Sequence, residues 1–182
     1  MAKKSPTKST RQLLVLRHAK SSWDTPAATD FERPLATRGE KDAPRMGRWL
    51  HEQGLRPDWI LGSPATRAKQ TLLAVCRELG VPSKTIRWEP AIYEGELRDL
   101  LPVLGGCPDG ARRVLLVGHN PGLETLVTYL GGQSVTIPND GKLLPTGALA
   151  LLEVKTPWST LAAGGATLLS VTRPRDVAAA GD

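Results

Sequence analysis

Three short stretches of this chain carry side chains suited to handling anions. The apolar run LLVL (13–16) leads directly into Arg17 and His18, with Lys20 and Ser21 just beyond. DWILG (58–62) leads through Ser63 into a segment bearing Arg67, and RRVLLVGHN (112–120) ends in His119 and Asn120. Burying a cation is costly unless an anion neutralises it, and no carboxylate follows Arg17 before Asp24. A bound anion, such as a phosphoryl group, would supply the missing charge. With no metal-ligand cluster nearby, a histidine pair has two main uses. One imidazole can attack phosphorus and carry the phosphoryl group, while the other hydrogen-bonds the group in transfer. Surrounding cations would stabilise its oxygens. The plainer alternative for each residue is a solvated turn or a satisfied histidine at a strand end.

These residues can act together only if the fold brings them together. The apolar runs at 13–16, 58–62 and 112–120 read as buried strands, and ALALLEV (148–154) and ATLLSVT (166–172) as later ones. IRWE (86–89) reads as a short strand. Helices are expected from about Asp42 to Gly54 and over 63–80, with Ser63 as N-cap and Pro64 at the first helical position. A short helix broken at Pro102 and a helix over 121–132 complete the pattern. Strands alternating with helices predict a three-layer α/β/α sandwich with a mostly parallel central sheet. In such sheets, loops at the carboxyl ends of the parallel strands build the ligand site. Both histidines and both arginines would then lie on one edge. Arg67 would fall in the first turn of its helix, where the macrodipole disfavours a cation unless an anion sits there. His51 is expected on the solvent side of its helix, without a chemical role.

The 182 residues are 40% hydrophobic and 23% charged, ordinary for one globular domain. The net charge of +6 suits anionic partners, although Lys3, Lys4, Lys8 and Arg11 lie in a polar N-terminal stretch. Residues 1–11 are read as a disordered basic arm and 12–182 as a single domain. The arm has no apolar core of a secretory signal, and no apolar run is long enough for a membrane span. Cys76 and Cys107 sit in no metal-binding or disulfide pattern, so neither a metal nor another cofactor is expected, and a reducing cytoplasm is. One Phe and two Tyr leave little for a base-stacking platform, which disfavours nucleic acid as partner.

In order along the chain, LVLRH, SPATRAKQT and LLVGHNP resemble the histidine phosphatase superfamily, also called phosphoglycerate-mutase-like. RHAKSSW, DFERPLATRGEKDAPRMGRWL and PTGALALLEV resemble its SixA-like phosphohistidine phosphatase branch. The resemblance implies His18 as phosphoryl-accepting nucleophile, with Arg17, Arg67 and His119 completing a phosphate pocket. Arg33, in ERPL, matches an arginine near the site of that branch, and Lys20 and Ser21 are further candidate substrate-binding residues. Ala19 stands where the superfamily motif usually has Gly. A carbonyl accepting the Nδ1–H of His18 would leave Nε2 free to attack. Glu94 is the positional candidate for a proton donor, with Glu96 and Asp99 as others, although the SixA-like branch is thought to lack a dedicated acid. A P–N bond to imidazole breaks with less acid assistance than a P–O bond to an alkoxide.

The leading expectation is a metal-independent phosphatase with a phosphohistidine intermediate, acting on phosphohistidine in proteins. The alternatives are a phosphatase of small phosphorylated molecules, which would need a working acid, and a non-catalytic module that only binds phosphate.

Overall fold

The computed structural model describes residues 10–177. Its strands are β1 (Arg11–Arg17), β2 (Trp59–Gly62), β3 (Ile86–Trp88), β4 (Arg113–Gly118), β5 (Leu149–Val154) and β6 (Ala166–Thr172). Its helices are α1 (Thr37–Glu52), α2 (Thr66–Glu78), α3 (Leu97–Gly105) and α4 (Gly122–Gly131). Residues 1–9 of the expected arm lie outside the described part. Arg11 already belongs to the sheet, opposite Val154.

The strands form one sheet in the order β3-β2-β4-β1-β5-β6. The first four are mutually parallel, whereas β5 and β6 run antiparallel. The alternation of side chains along β1 divides the core. Leu14 and Leu16 pack with Met46 and Leu50 of α1 and with Leu72 and Val75 of α2. Leu13 and Val15 face Leu100 and Leu104 of α3 and Leu123 and Leu126 of α4. Parallel strands covered on both faces read as continuous apolar runs, which is why LLVL and VLLV carry no polar alternation. The result is the three-layer sandwich anticipated from the sequence.

Topology fixes where a ligand can sit. The chain leaves β1 through α1 toward β2 and leaves β4 through α4 in the opposite direction, over the other face. Neighbouring β1 and β4 therefore form the switch point, where a crevice opens at the carboxyl ends. His18 follows β1 and His119 follows β4 at that point.

Three boundaries differ from the sequence reading. α1 starts at Thr37, ahead of Asp42. The Asp42 carboxylate is buried and held by Arg38 and Arg45, each at 3.3 Å, which requires helix on both sides of it. Pro102 lies within α3 and does not break it, since its carbonyl still accepts from Gly106 N–H at 3.0 Å. The N-cap of α2 is Ala65, so Ser63 is not the cap.

Gly39 fixes how closely α1 approaches the RHAK segment. A Cβ there would lie 2.2 Å from the Lys20 carbonyl oxygen, a backbone atom that cannot swing aside. Gly39→Ala should therefore cost about 1–3 kcal/mol. The check is equilibrium denaturation, with a lower midpoint at unchanged slope.

Candidate active site

The pairing of β1 with β4 sets Arg17 opposite Gly118, and the next amide, His18 N–H, donates to Gly118 C=O at 3.0 Å. The residues that follow on the two strands are both histidines, so the sheet register itself brings their rings to 5.1 Å between centroids. Both are buried, at 6% and 7% exposure. His18 Nδ1 lies 2.7 Å from the carbonyl of Ala19. A carbonyl can only accept, so Nδ1 carries the proton and Nε2 presents a lone pair.

Ala19 makes a second link. Its amide donates to Thr71 Oγ1 at 3.0 Å, and that hydroxyl donates to the Arg67 carbonyl at 2.7 Å. Thr71 thereby ties the loop holding His18 to the helix holding Arg67. The Ala19 side chain is fully buried against Leu35 and Ala43, so a methyl group in place of the usual glycine hydrogen is packed without exposure.

His119 Nε2 lies 2.7 Å from Ser63 Oγ, whereas its Nδ1 is buried without a hydrogen-bond partner. Arg17 Nη1 donates to the Leu144 carbonyl at 3.0 Å, and Arg17 Nε is likewise buried without a partner. Unpaired buried nitrogens are costly, so both are candidates to meet an acceptor that the protein does not supply. The Leu144 carbonyl also accepts from Asn120 Nδ2 at 2.8 Å, and Glu124 accepts from Leu144 N–H at 2.8 Å. Loop 132–146 is thus fastened to the first turn of α4.

Arg67 lies in the first turn of α2, as the sequence reading expected, and is buried. Its partner is one the sequence did not suggest. Nη1 donates to the Asp30 carbonyl at 2.7 Å and Nη2 to Asp30 Oδ2 at 3.0 Å. The same carboxylate accepts from Arg33 Nη1 at 2.6 Å and from Tyr93 Oη at 3.0 Å. Tyr93 stands edge-on to His119, with centroids 5.6 Å apart. Asp30 is therefore the hinge of a network behind Arg67. Burial pushes its carboxyl up, but the hydrogen bonds from Arg33, Tyr93 and Arg67 outweigh this and hold it below its ordinary value. These bonds favour its ionised form.

The remaining candidates divide. Arg33 spends its donors on Ser22 C=O, Asp30 and Ser21 Oγ, at 3.0, 2.6 and 2.6 Å, and stacks 3.3 Å from the Trp23 ring centroid. Arg33 and Ser21 thus shape the loop that carries Asp30, with three of the five guanidinium N–H groups engaged there. Lys20 is exposed. Glu94 is exposed beside Tyr93, at φ 52°, and makes no hydrogen bond or ion pair among the described residues. Asp99 is used at the start of α3, accepting from Glu96 N–H at 2.9 Å. His51 is on the solvent side of α1. No group of three or more His, Cys, Asp and Glu suited to a metal ion occurs among the described residues.

Burial is the main reason that both imidazoles stay neutral. It pushes His18 down to about 3, with His119, Arg67 and Arg17 adding to the effect against the Ala19 hydrogen bond. It pushes His119 down to about 4, helped by Arg67 and Arg17 and opposed by Asp30. Imidazole resonances followed from pH 8 to pH 4 should show neither ring titrating near 6.5. Between pH 6.5 and about pH 4 an unfolded chain binds protons that the folded one excludes. Each of these histidines should therefore withdraw ~1.4 kcal/mol of stability per pH unit of acidification in that window.

Comparison with known proteins places this geometry. Residues 13–98 match the model of the histidine phosphatase superfamily (branch 1). A solved structure of a putative phosphohistidine phosphatase SixA from Nakamurella multipartitia is 30% identical. It superposes with a TM-score of 0.77 over 91% of this chain and 96% of that one. Phosphohistidine phosphatase SixA of Escherichia coli is 31% identical over 133 residues, 65% of this chain and 73% of that protein. An Arabidopsis thaliana chloroplastic protein of undescribed function is 33% identical over 143 residues, 73% of this chain and 65% of its own length. On these likenesses the chain belongs to branch 1 of the histidine phosphatase superfamily, in its SixA-like part, and is a phosphatase.

Proposed function

We propose that this phosphatase removes phosphoryl groups from phosphohistidine in proteins, through a covalent intermediate on His18 and without a metal ion. The supporting observation is the Nδ1–H of His18 bound to its neighbouring carbonyl, which leaves the Nε2 lone pair on a buried ring that feels the charges of Arg67 and Arg17. Phosphorus is attacked by Nε2, and the bond from phosphorus to the substrate's nitrogen breaks. That nitrogen takes a proton from solvent. Arg17, Arg67 and His119 hold the phosphoryl oxygens as charge builds on them. Water then attacks the phosphohistidine, releases inorganic phosphate and returns Nε2 to its starting state.

The choice of a P–N substrate rests on the carboxylates. Asp30 is favoured as its ionised form by Arg33, Tyr93 and Arg67, and Glu94 is exposed with no hydrogen bond or ion pair among the described residues. A departing imidazole needs less protonation than an alkoxide, so a site with this arrangement favours it. A structure of SixA has been solved with tungstate bound, an oxyanion shaped like phosphate, in keeping with a pocket for such groups here. The buried, unpaired Cys76 and Cys107 accord with a reducing cytoplasm, and no described helix is long and apolar enough to cross a membrane.

The decisive experiment measures phosphate release in excess EDTA from a phosphohistidine-bearing protein and from a simple phosphomonoester, with His18→Ala as control. Multiple turnovers on phosphohistidine, abolished in the variant, are expected. Release from the monoester alone, lost in Glu94→Gln, would instead make it a small-molecule phosphatase with Glu94 as acid. Binding without turnover on either would indicate a phosphate-capturing module.

Asp30→Asn should lower kcat/KM by roughly 10- to 100-fold, the worth of a charge-assisted hydrogen bond. Its effect should be non-additive with Arg67→Lys in a double-mutant cycle, since Asp30 acts by orienting Arg67.

A further inference from the structure

The antiparallel strands extend the active-site edge beyond the histidines. Leu16 pairs with Leu149 and Leu149 with Thr172, so the loop leading into β5 and the segment leaving β6 both lie beside the carboxyl end of β1. Between them is a cleft of about 510 Å³, lined by Arg17, Lys20, Arg38, Lys142, Arg173 and Arg175, with Asp140 as its one acidic lining residue.

The charges there do not cancel. Asp140 is spent on Arg173, with contacts of 2.5 and 3.1 Å, and Arg175 stands 3.9 Å away. Arg173 also donates to the Lys142 carbonyl at 2.5 Å, so this wall is fixed by hydrogen bonds on both sides. Arg38 has Asp42 at 3.3 Å, and Arg175 has Asp176 at 3.6 Å. Lys20 and Lys142 are exposed and make no ion pair among the described residues. Arg17, whose charge is balanced in part by Glu124, borders both this cleft and the histidine pair. Clustered cations repel one another and attract a polyanion. They project from four separate segments, so they match several carboxylates spread over a surface better than one compact group.

We propose that this cleft is a second anion subsite, which takes acidic side chains of the protein substrate while the phosphoryl group lies at His18. The proposal rests on the protein-phosphohistidine reading for its substrate, but the cleft can be tested without turnover. The probe is a fluorescent hexaglutamate peptide, followed by anisotropy against the full chain and against Lys142→Glu/Arg175→Glu. Circular dichroism confirms that the variant is folded. Binding should weaken at least tenfold in the variant, be retained in Lys142→Arg, and fall as salt is raised. No binding by the parent chain, or equal binding by the variant, overturns the subsite.

Kinetics supply the second arm. Two phosphohistidine peptides differ only in Glu or Gln flanks. A lower KM for the acidic peptide is expected, lost in the double variant with kcat on the neutral peptide unchanged. Equal KM values in the parent chain overturn a role for the cleft in substrate choice. Failure to turn over either peptide while hexaglutamate binding persists overturns the phosphohistidine reading and leaves the acidic subsite standing. A sugar bisphosphate that alone shows the charge-dependent preference would replace the acidic protein with a small bisphosphate as occupant.

Discussion

The site depends on the parallel pairing of β1 with β4 in one register. Arg17 stands opposite Gly118, so the next residue on each strand is a histidine, and the two rings meet at 5.1 Å without any long-range loop having to carry them there. A shift of one residue would exchange inward and outward faces along the whole strand. Leu13 and Val15 would trade places with Leu14 and Leu16 between two different helix layers. The hydrophobic core thereby specifies the geometry of the imidazoles: the same alternation that seats the leucines seats the histidine pair. Gly118 belongs to this constraint, because a Cβ there would meet Ile92 Cγ2 at 2.8 Å and push β4 away from the segment that carries Tyr93.

Around that pair the protein holds two arginines close to two histidines, an arrangement that repels protons. Burial and cationic neighbours together keep the imidazoles neutral, which is the state a nucleophile needs. The cost is partly offset within the fold. Asp30 lies against Arg67, Glu124 balances Arg17, and Thr71 joins the Ala19 amide to the Arg67 carbonyl. Each of these side chains leaves Nε2 of His18 untouched and fixes a group that would otherwise be free to turn. Orientation of this kind is a large part of what a site can contribute to phosphoryl transfer.

What was legible in the sequence follows from how local each signal is. Arg17, His18, Arg67 and His119 stand at the ends of apolar runs or in the first turn of a helix, and those patterns need only a few neighbouring residues to be read. Asp30 and Tyr93 are 63 positions apart and meet through a hydrogen bond that no local pattern encodes. Asp140 and Arg173 depend on β5 and β6 returning antiparallel to one edge, and strand order was not readable from the run of elements. Ser63 had the residue type and position of an N-cap, but the helix begins later because the chain stays extended through Ala65. That leaves the Ser63 hydroxyl for His119. The signal was available in hindsight of the fold alone: a polar residue at the end of a buried strand, next to another strand ending in histidine.

The antiparallel pair β5–β6 gives the edge its asymmetry. A purely parallel sheet would place a helix crossover beyond β1, and its N-terminus would turn the chain away from the crevice. Two antiparallel strands instead bring a loop and a departing segment to the same edge. Gly147, at φ 76°, donates its amide to the carbonyls of both Arg17 and His18 and packs against Pro174, so it locks β1 to both returning segments at once. A side chain there would be strained by the backbone angle and would press on Pro174, 2.8 Å from its Cβ. The basic wall formed by Arg173 and Lys142 is consequently held in a fixed relation to His18 by backbone contacts. The basic wall and the histidine pair are thus parts of one edge joined by backbone contacts, so the proposed selection of an acidic partner would need no moving part.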